Sequence, residues 1–401
     1  MNVLIADKMA PAVVGQLESM GCRLTVDPSL KEDALAESLR ELNPDIVIVR
    51  STKIGAPHID AARGLSLIIR AGAGVNTIDL GHASARGVYV ANCPGKNAAA
   101  VAELTMGHML NADRRIADNV AALKDGQWQK KVFGKGNRGV RGRTMGIIGM
   151  GAIGQEVARR AQAFGMHIVA FSPSLKQETA AAMGVEALPT MVDVAARADV
   201  LTVHVGLNEH TRGMIDATVL GALKAGATFI NTSRGPVVDE AALREAVEHR
   251  QIKAGLDVFC DEPPADGPWQ TALAGLPGVY GTHHIGASTD EASEAVGDEV
   301  VRIVASFTAT GSVPNCVNLA KRTDATHLLV VRHADQVGVL AGVLDTLRTA
   351  NINVQEMENI VFMGSLAATA HIQVSSAPTD AVLAEIEASE HIFAADIKSL
   401  E

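Results

Sequence analysis

Residues 144–154 read Thr144-Met145-Gly146-Ile147-Ile148-Gly149-Met150-Gly151-Ala152-Ile153-Gly154. An apolar run stops abruptly at glycines spaced G-x-G-x-x-G, and an Ala-rich helical pattern follows to Ala163. A strand, a tight turn and a helix in that order form the context of a dinucleotide-binding loop. The glycines permit the turn, a close approach of backbone to a pyrophosphate, and close packing of helix on strand. The phosphates then meet the unpaired N–H groups at the helix N-terminus. Gly149, Gly151, Ala152, Ile153 and Gly154 are therefore the first candidate cofactor-binding residues.

Outward from this unit, short β-branched runs alternate with helical stretches. Strands are predicted at Val3–Ala6, Ile46–Val49, Leu67–Arg70, Val88–Ala91, Thr144–Ile148, His167–Phe171, Val200–Val205, Thr228–Asn231 and Ala254–Val258. Helices are predicted at Ala98–Asn111, Gly154–Ala163 and Ser288–Ala309. Such alternation builds parallel sheets covered on both faces. Two series are visible, divided near residue 100; the second closes near Gly281, after the Pro/Gly-rich loop Glu262–Gly278. Ser288–Ala309 would return the chain to the first domain, and Gly311–Asn315 reads as a linker. The tail predicts strand Leu328–Arg332, helix Val339–Ala350, strands Ile352–Met357 and Ala367–Val374, helix Thr379–Ala388 and strand Ala394–Ser399, a ferredoxin-like β-α-β-β-α-β order. The expectation is an α/β chain with two doubly wound, Rossmann-like domains and a small C-terminal one. Residues 1–98 with 285–316 would form a discontinuous substrate domain, 99–284 the dinucleotide domain, and 326–401 the third.

Composition agrees. Only 3% of the 401 residues are aromatic while 47% are hydrophobic, so the cores must be filled by Ala, Val, Ile, Leu and Met, which suits helices on parallel strands. A formal net charge of −10 argues against a nucleic-acid or membrane-surface partner. No secretory signal precedes Val3-Leu4-Ile5, and no apolar stretch is long enough to span a bilayer. The four cysteines are scattered, without CxxC or zinc-ligand spacing. A reduced cytoplasmic protein with no metal is expected.

Three further constellations sit where strands end, at the carboxyl edge that faces the ligand crevice in such sheets. Asn231-Thr232-Ser233-Arg234-Gly235-Pro236 puts a guanidinium just past a buried strand, where its planar fork can match a carboxylate. Asp257–Pro264 carries Asp257 and Glu262. His283-His284-Ile285-Gly286-Ala287-Ser288-Thr289 offers an acid/base histidine before a helix. One expected group is missing: an acidic residue usually follows the second strand to bond the ribose 2′-hydroxyl, and here Ser172 stands at that place, near Lys176. Serine bonds a hydroxyl but does not repel a phosphate. NAD and NADP both stay open, and the lack of an Arg there favours NAD.

These segments, with Asn92–Thr105, are similar in order and spacing to the D-isomer-specific 2-hydroxyacid dehydrogenase family, over nearly all of residues 1–318. The resemblance implies a catalytic triad of Arg234, Glu262 and His284, with Asp257, Thr232, Val205 and Gly286 beside the cofactor. Arg234 would clamp the substrate carboxylate, His284 would exchange the hydroxyl proton, and Glu262 would orient the imidazole as a neighbouring anion. The family pattern has Pro-His before the Ile/Leu-Gly-Ala-Ser turn, which assigns the role to His284 and puts His283 at the proline position. Gly206 stands where the family has Pro, and His204 is read as structural. Arg50, Ser51, Arg70, Gly72, Ala73, Gly74, Lys96 and Asn97 resemble the family's substrate segments, and their basic cluster points to a phosphorylated 2-hydroxy acid. The expected reaction is oxidation of 3-phospho-D-glycerate to 3-phosphohydroxypyruvate, the entry to serine; the alternatives are a glyoxylate/hydroxypyruvate reductase or another dehydrogenase of the family. A nicotinamide-sensing binding protein is the rival from another class. The tail resembles an ACT domain, whose usual ligand is an amino acid; His333, Asp335 and Asn353 match its effector positions, with Asp335 where Asn is usual. A homodimer or homotetramer is implied, formed through the cofactor domain and the Ala98–Asn111 region, with Lys130 and Lys131 reaching a second subunit.

Overall fold

A computed structural model describes residues 1–263 and 266–400. Pro264 and Ala265, within the Glu262–Gly278 loop, and Glu401, the last residue of the expected third domain, lie outside the described residues.

The first sheet contains β1 (Asn2–Ile5), β2 (Arg23–Val26), β3 (Ile46–Val49), β4 (Leu67–Arg70) and β5 (Tyr89–Asn92). All are parallel, in the order β2-β1-β3-β4-β5. The second contains β6 (Thr144–Ile148), β7 (His167–Phe171), β8 (Glu186–Ala187), β9 (Val200–Val203), β10 (Thr228–Asn231), β11 (Lys253–Leu256) and β12 (Val279–Gly281). It is also parallel, in the order β12-β11-β10-β9-β6-β7-β8. The chain thus reverses its direction of winding between β1 and β3 in one sheet and between β6 and β9 in the other. Crevices open at such switch points, beyond the carboxyl ends of the strands. Every residue of β3, β9 and β10 is buried, as strands covered on both faces require.

Helix Ala98–Arg114 links the two sheets and packs on β10, β11, β12 and helix Ala152–Ala163. Helix Asp290–Thr310 returns to the first sheet, where Val300, Ile303 and Val304 join the cluster of Val3, Ile5, Ile46 and Ile69. The segment expected to be a linker is not one. After Gly311, in the left-handed conformation, the chain folds back on β5: Asn92 N donates to Asn315 O, Val317 N to Val90 O, and Val90 N to Asn318 Oδ1. These bonds satisfy the edge of β5, and the compact unit ends at Asn318.

The unit from Leu319 onward holds β13 (His327–Ala334), β14 (Val354–Val361), β15 (Ala367–Val374) and β16 (Ile392–Ser399), with helices Val339–Thr349 and Asp380–Glu387. The antiparallel order β14-β15-β13-β16 is ferredoxin-like. The predicted strand Ile352–Met357 is displaced: Ile352 is buried in the core, and pairing starts at Val354 and runs to Val361. Its last six residues are exposed, so the apolar alternation that would mark a strand is absent. Among the described residues no helix is long and apolar enough to cross a membrane, and no group of three or more His, Cys, Asp or Glu could hold a metal ion.

Candidate active site

The loop after β6 is built by close approach. Gly149 has φ +95°, which favours glycine, and a Cβ there would collide with the carbonyl oxygen of His204, the residue following β9. Gly154 lies against the Gly149 carbonyl with no room for a side chain. Gly151 precedes helix Ala152–Ala163, and no side chain caps it, so the first N–H groups of the helix point to an open crevice. The cavity there measures about 670 Å³ and is lined by Ile153, Val205, Gly206, Leu207, Thr232 and Gly286, among others. His204 is also on its wall. Burial pushes its imidazole down to about 3, and Nε2 lies 3.0 Å from Thr202 Oγ1 while Nδ1 has no partner among the described residues. A neutral imidazole on the wall, beside a loop whose backbone only glycine permits, fits a bound dinucleotide. Ser172 follows β7, half-buried, and its carbonyl accepts from Leu175 N.

Across the same cavity the ends of β10, β11 and β12 bring Arg234, Asp257 and His284 to one wall. His284, not His283, meets Glu262: Nδ1 to Oε2 is 2.7 Å. Phe259 N donates to the other carboxylate oxygen at 3.0 Å. Burial opposes ionisation of Glu262, but the bonds from His284 and Phe259, aided by the charges of His284 and Arg234, hold its carboxyl below the usual range. An ionised Glu262 accepts from Nδ1–H, which leaves the Nε2 lone pair as the basic site of the ring. His284 has φ +53°, unusual for a residue with a side chain. Asp257 over-determines that turn: its carboxylate accepts from Thr282 Oγ1 (2.6 Å), Ile285 N (2.8 Å) and Gly286 N (2.8 Å), and its carbonyl accepts from His284 N. Arg234 is half-buried. Nη1 donates to Ser233 O and Nε to Asn76 Oδ1, and burial lowers its pKa. Asn76, in an irregular loop, carried no signal in the sequence. Thr232 Oγ1 lies 2.9 Å from Thr105 Oγ1.

The first sheet supplies cations. Arg70 ends β4 and passes over Gly72, whose φ of +152° and missing Cβ make room for the guanidinium. Gly74 likewise clears space for Arg234. Burial, then the charges of Arg234 and Arg50, push Arg70 down to about 10, and its buried Nε has no partner among the described residues. Ala73, Gly74, Arg70 and Asn97 line the main cavity; Arg50, Gly72 and Lys8 join Arg70 and Asn97 around a smaller adjoining one of about 80 Å³. Lys8 was not singled out from the sequence, although it lies just past the predicted strand Val3–Ala6. Two expected members sit elsewhere. Ser51 spends its hydroxyl on Asp7, whose carboxylate also collects the N–H groups of Arg50, Ser51 and Thr52. Lys96 pairs with Glu299 at 3.2 Å and lines neither cavity.

In the C-terminal unit the three effector candidates do not converge. His333 is buried, with Nδ1 2.8 Å from Ala334 O and Nε2 3.2 Å from Asn359 Oδ1. Asp335 is exposed at the same end of the sheet. Asn353 precedes Val354, which lines up through Val374 with His327, six residues from His333 and so roughly 20 Å along the strand.

A model of the D-isomer specific 2-hydroxyacid dehydrogenase NAD binding domain matches residues 106–286. The D-3-phosphoglycerate dehydrogenase of Methanocaldococcus jannaschii is 39% identical over 322 residues, 79% of this chain and 59% of that protein. This chain therefore spans about three fifths of that relative's length. A hydroxypyruvate reductase of Thermotoga maritima is 43% identical over 274 residues, covering 68% of this chain and 87% of the relative. Among solved structures, NAD+-bound 3-phosphoglycerate dehydrogenase of Entamoeba histolytica superposes with a TM-score of 0.66 at 25% identity, covering 80% of this chain and 99% of that one. With the glycine loop, the paired parallel sheets and this coverage, the chain belongs to the D-isomer specific 2-hydroxyacid dehydrogenase family.

Proposed function

We propose that this protein oxidises 3-phospho-D-glycerate to 3-phosphohydroxypyruvate with NAD. The observation that carries the reading is the pair His284–Glu262, with His284 lining a cavity that Arg234 and Arg70 also line, and with Arg50 and Lys8 around the smaller one adjoining it. When bound, NAD accepts the hydride from C2 of the acid. His284 Nε2 takes the hydroxyl proton as this happens, and Glu262, bonded to Nδ1–H, balances the positive charge the ring gains. Arg234 binds the substrate carboxylate and the adjacent oxygen with N–H groups not used on Ser233 and Asn76. Asp257 holds the turn that carries His284 and presents its carboxylate beside the cofactor, with Thr232, Val205 and Gly286 lining the same wall. Arg50, Arg70 and Lys8 hold the phosphate, with the backbone of Gly72–Gly74 and Asn97 alongside.

NAD is preferred over NADP because Ser172 offers one hydroxyl and no Arg follows it. The protein works in the cytoplasm as a homodimer or homotetramer, in which Lys130 and Lys131 of one copy approach the cleft of another. The C-terminal unit acts as an ACT domain. Since His333 and Asp335 lie at the end opposite Asn353, an amino acid held by all of them would need two copies of the unit. A hydroxypyruvate reductase is the second reading, favoured by the Thermotoga maritima relative and by the loss of Lys96 to Glu299. Steady-state rates with 3-phosphoglycerate, glycerate and hydroxypyruvate, each with NAD(H) and NADP(H), separate the two. A kcat/KM for glycerate or hydroxypyruvate far above that for the phosphorylated acid would discard the phosphate assignment.

A further inference from the structure

We infer that His108 is a positioning residue for the catalytic turn, acting through Thr282 and Asp257. It sits in helix Ala98–Arg114, almost fully buried, against Gly255 of β11, where a Cβ would press on the imidazole. Nε2 lies 3.1 Å from Thr282 Oγ1, and Thr282 Oγ1 lies 2.6 Å from Asp257 Oδ1. An ionised carboxylate only accepts, so the single hydroxyl proton of Thr282 is spent on Asp257. The hydroxyl oxygen can then bond His108 only by accepting, which assigns the proton of the neutral ring to Nε2. Burial lowers the pKa of His108, against the pull of Asp257, and favours that neutral ring.

The relay therefore runs in one direction: His108 N–H to Thr282, Thr282 O–H to Asp257, and Asp257 receiving Ile285 N and Gly286 N. Each bond polarises the next. The last two are the residues just after His284, held at φ +53°. The helix that joins the two sheets thus fixes the placement of the acid/base turn without touching substrate or cofactor. This step rests on the reading of His284 as the proton acceptor.

The test compares the full chain with H108L, H108Q and T282V. Glutamine keeps an N–H donor at about the reach of Nε2, and leucine keeps only bulk. In protein free of cofactor, amide hydrogen exchange at Ile285 and Gly286 should quicken about tenfold in H108L, the worth of one hydrogen bond, and return to within about threefold of wild type in H108Q. The dissociation constant for NADH, read by fluorescence, should follow the same order. T282V should match H108L, and the double variant should be no worse than either. The inference is overturned if leucine and glutamine behave alike, if the losses of H108L and T282V add, or if thermal stability falls while exchange at 285–286 is unchanged. A chain that oxidised no 2-hydroxy acid would defeat the reading of the reaction, and the exchange data would still decide the relay.

Discussion

Replacing Glu262 with glutamine removes a charge and one of two acceptor oxygens. Glutamine keeps its single oxygen for His284 Nδ1–H, at the reach of the present 2.7 Å pair, while its NH2 group cannot accept the bond that Phe259 N now gives to the other oxygen. In the proposed reaction, the charge sets the energy of the imidazolium formed when His284 takes the substrate proton. At 2.7 Å the Coulomb attraction is about 1.5 kcal/mol at the dielectric constant of water and about 3 kcal/mol at half that value. The side chains are 45% and 33% exposed, so solvent screens the pair and the lower end applies best. Because the charge exists only once the proton has moved, the loss belongs to the transition state. Glu262→Gln should lower kcat about 10- to 100-fold and leave KM for the acid within about threefold. The assay is steady-state NADH production with the acid varied at saturating NAD. A kcat within about twofold of wild type, or a change confined to KM, would refute an electrostatic role for Glu262.

Other outcomes follow from the same geometry. Arg50→Gln should reduce kcat/KM for 3-phosphoglycerate about 10- to 100-fold, the worth of a charge-assisted hydrogen bond, and that for glycerate only slightly; equal losses would show that Arg50 does not read a phosphate. Glu299 is held down to about 2, first by Arg302, against burial, with help from Lys96 and Asn315. Its contribution to stability is therefore complete above about pH 4.5 and fades as pH falls toward 2, so Glu299→Gln should flatten the urea-midpoint profile across that window, and an unchanged slope would disprove the link. Asn318 accepts from Val90 N and donates to Val88 O, both at 2.8 Å. Asn318→Ala should cost about 1–3 kcal/mol and lower the calorimetric Tm by a few degrees, with no shift counting against its role at the edge of β5.

How much of this was legible from residues varies with the kind of signal each one leaves. β6 and its glycines were readable because a turn that admits no Cβ leaves glycines at fixed spacing, and Gly149 and Gly154 are where the backbone closes up. Arg234 and His284 drew notice because they sit just past apolar strands. The pairing of Glu262 with His284 was implied by the family resemblance and not by spacing: twenty-two residues separate them, and the adjacency of β11 and β12 brings them together. Lys96 misled because charge in a loop does not say which way it points, and a buried acid from a distant helix, Glu299, claims it. The linker reading failed for a related reason. Gly311–Asn315 has a turn composition, yet Asn315 at its end, with Val317 and Asn318 after it, supplies the partners that the edge of β5 needs. β14 was misplaced because an exposed edge strand has little apolar alternation to show.

The chain carries ten more negative than positive charges, yet its cleft is positive, and the way its carboxylates are used explains how. Asp7 lies at the mouth of β1 beside Arg50, but three backbone N–H groups and Ser51 claim its oxygens. Asp257 serves Thr282 and the turn after His284. Glu299 is consumed by Arg302, Lys96 and Asn315. Asp79, which lines the cavity, caps the helix after it by accepting from His82 N, and Glu262 is engaged by His284. Neither Arg70 nor Arg234 forms an ion pair among the described residues; burial makes both charges costly, repulsion from Arg234 and Arg50 adds to the cost at Arg70, and the charge of Glu262 offsets part of it at Arg234. An anion that enters between them relieves that cost, so on the proposed reading the strain in the free protein becomes binding energy for a substrate carrying a carboxylate at one end and a second negative group at the other.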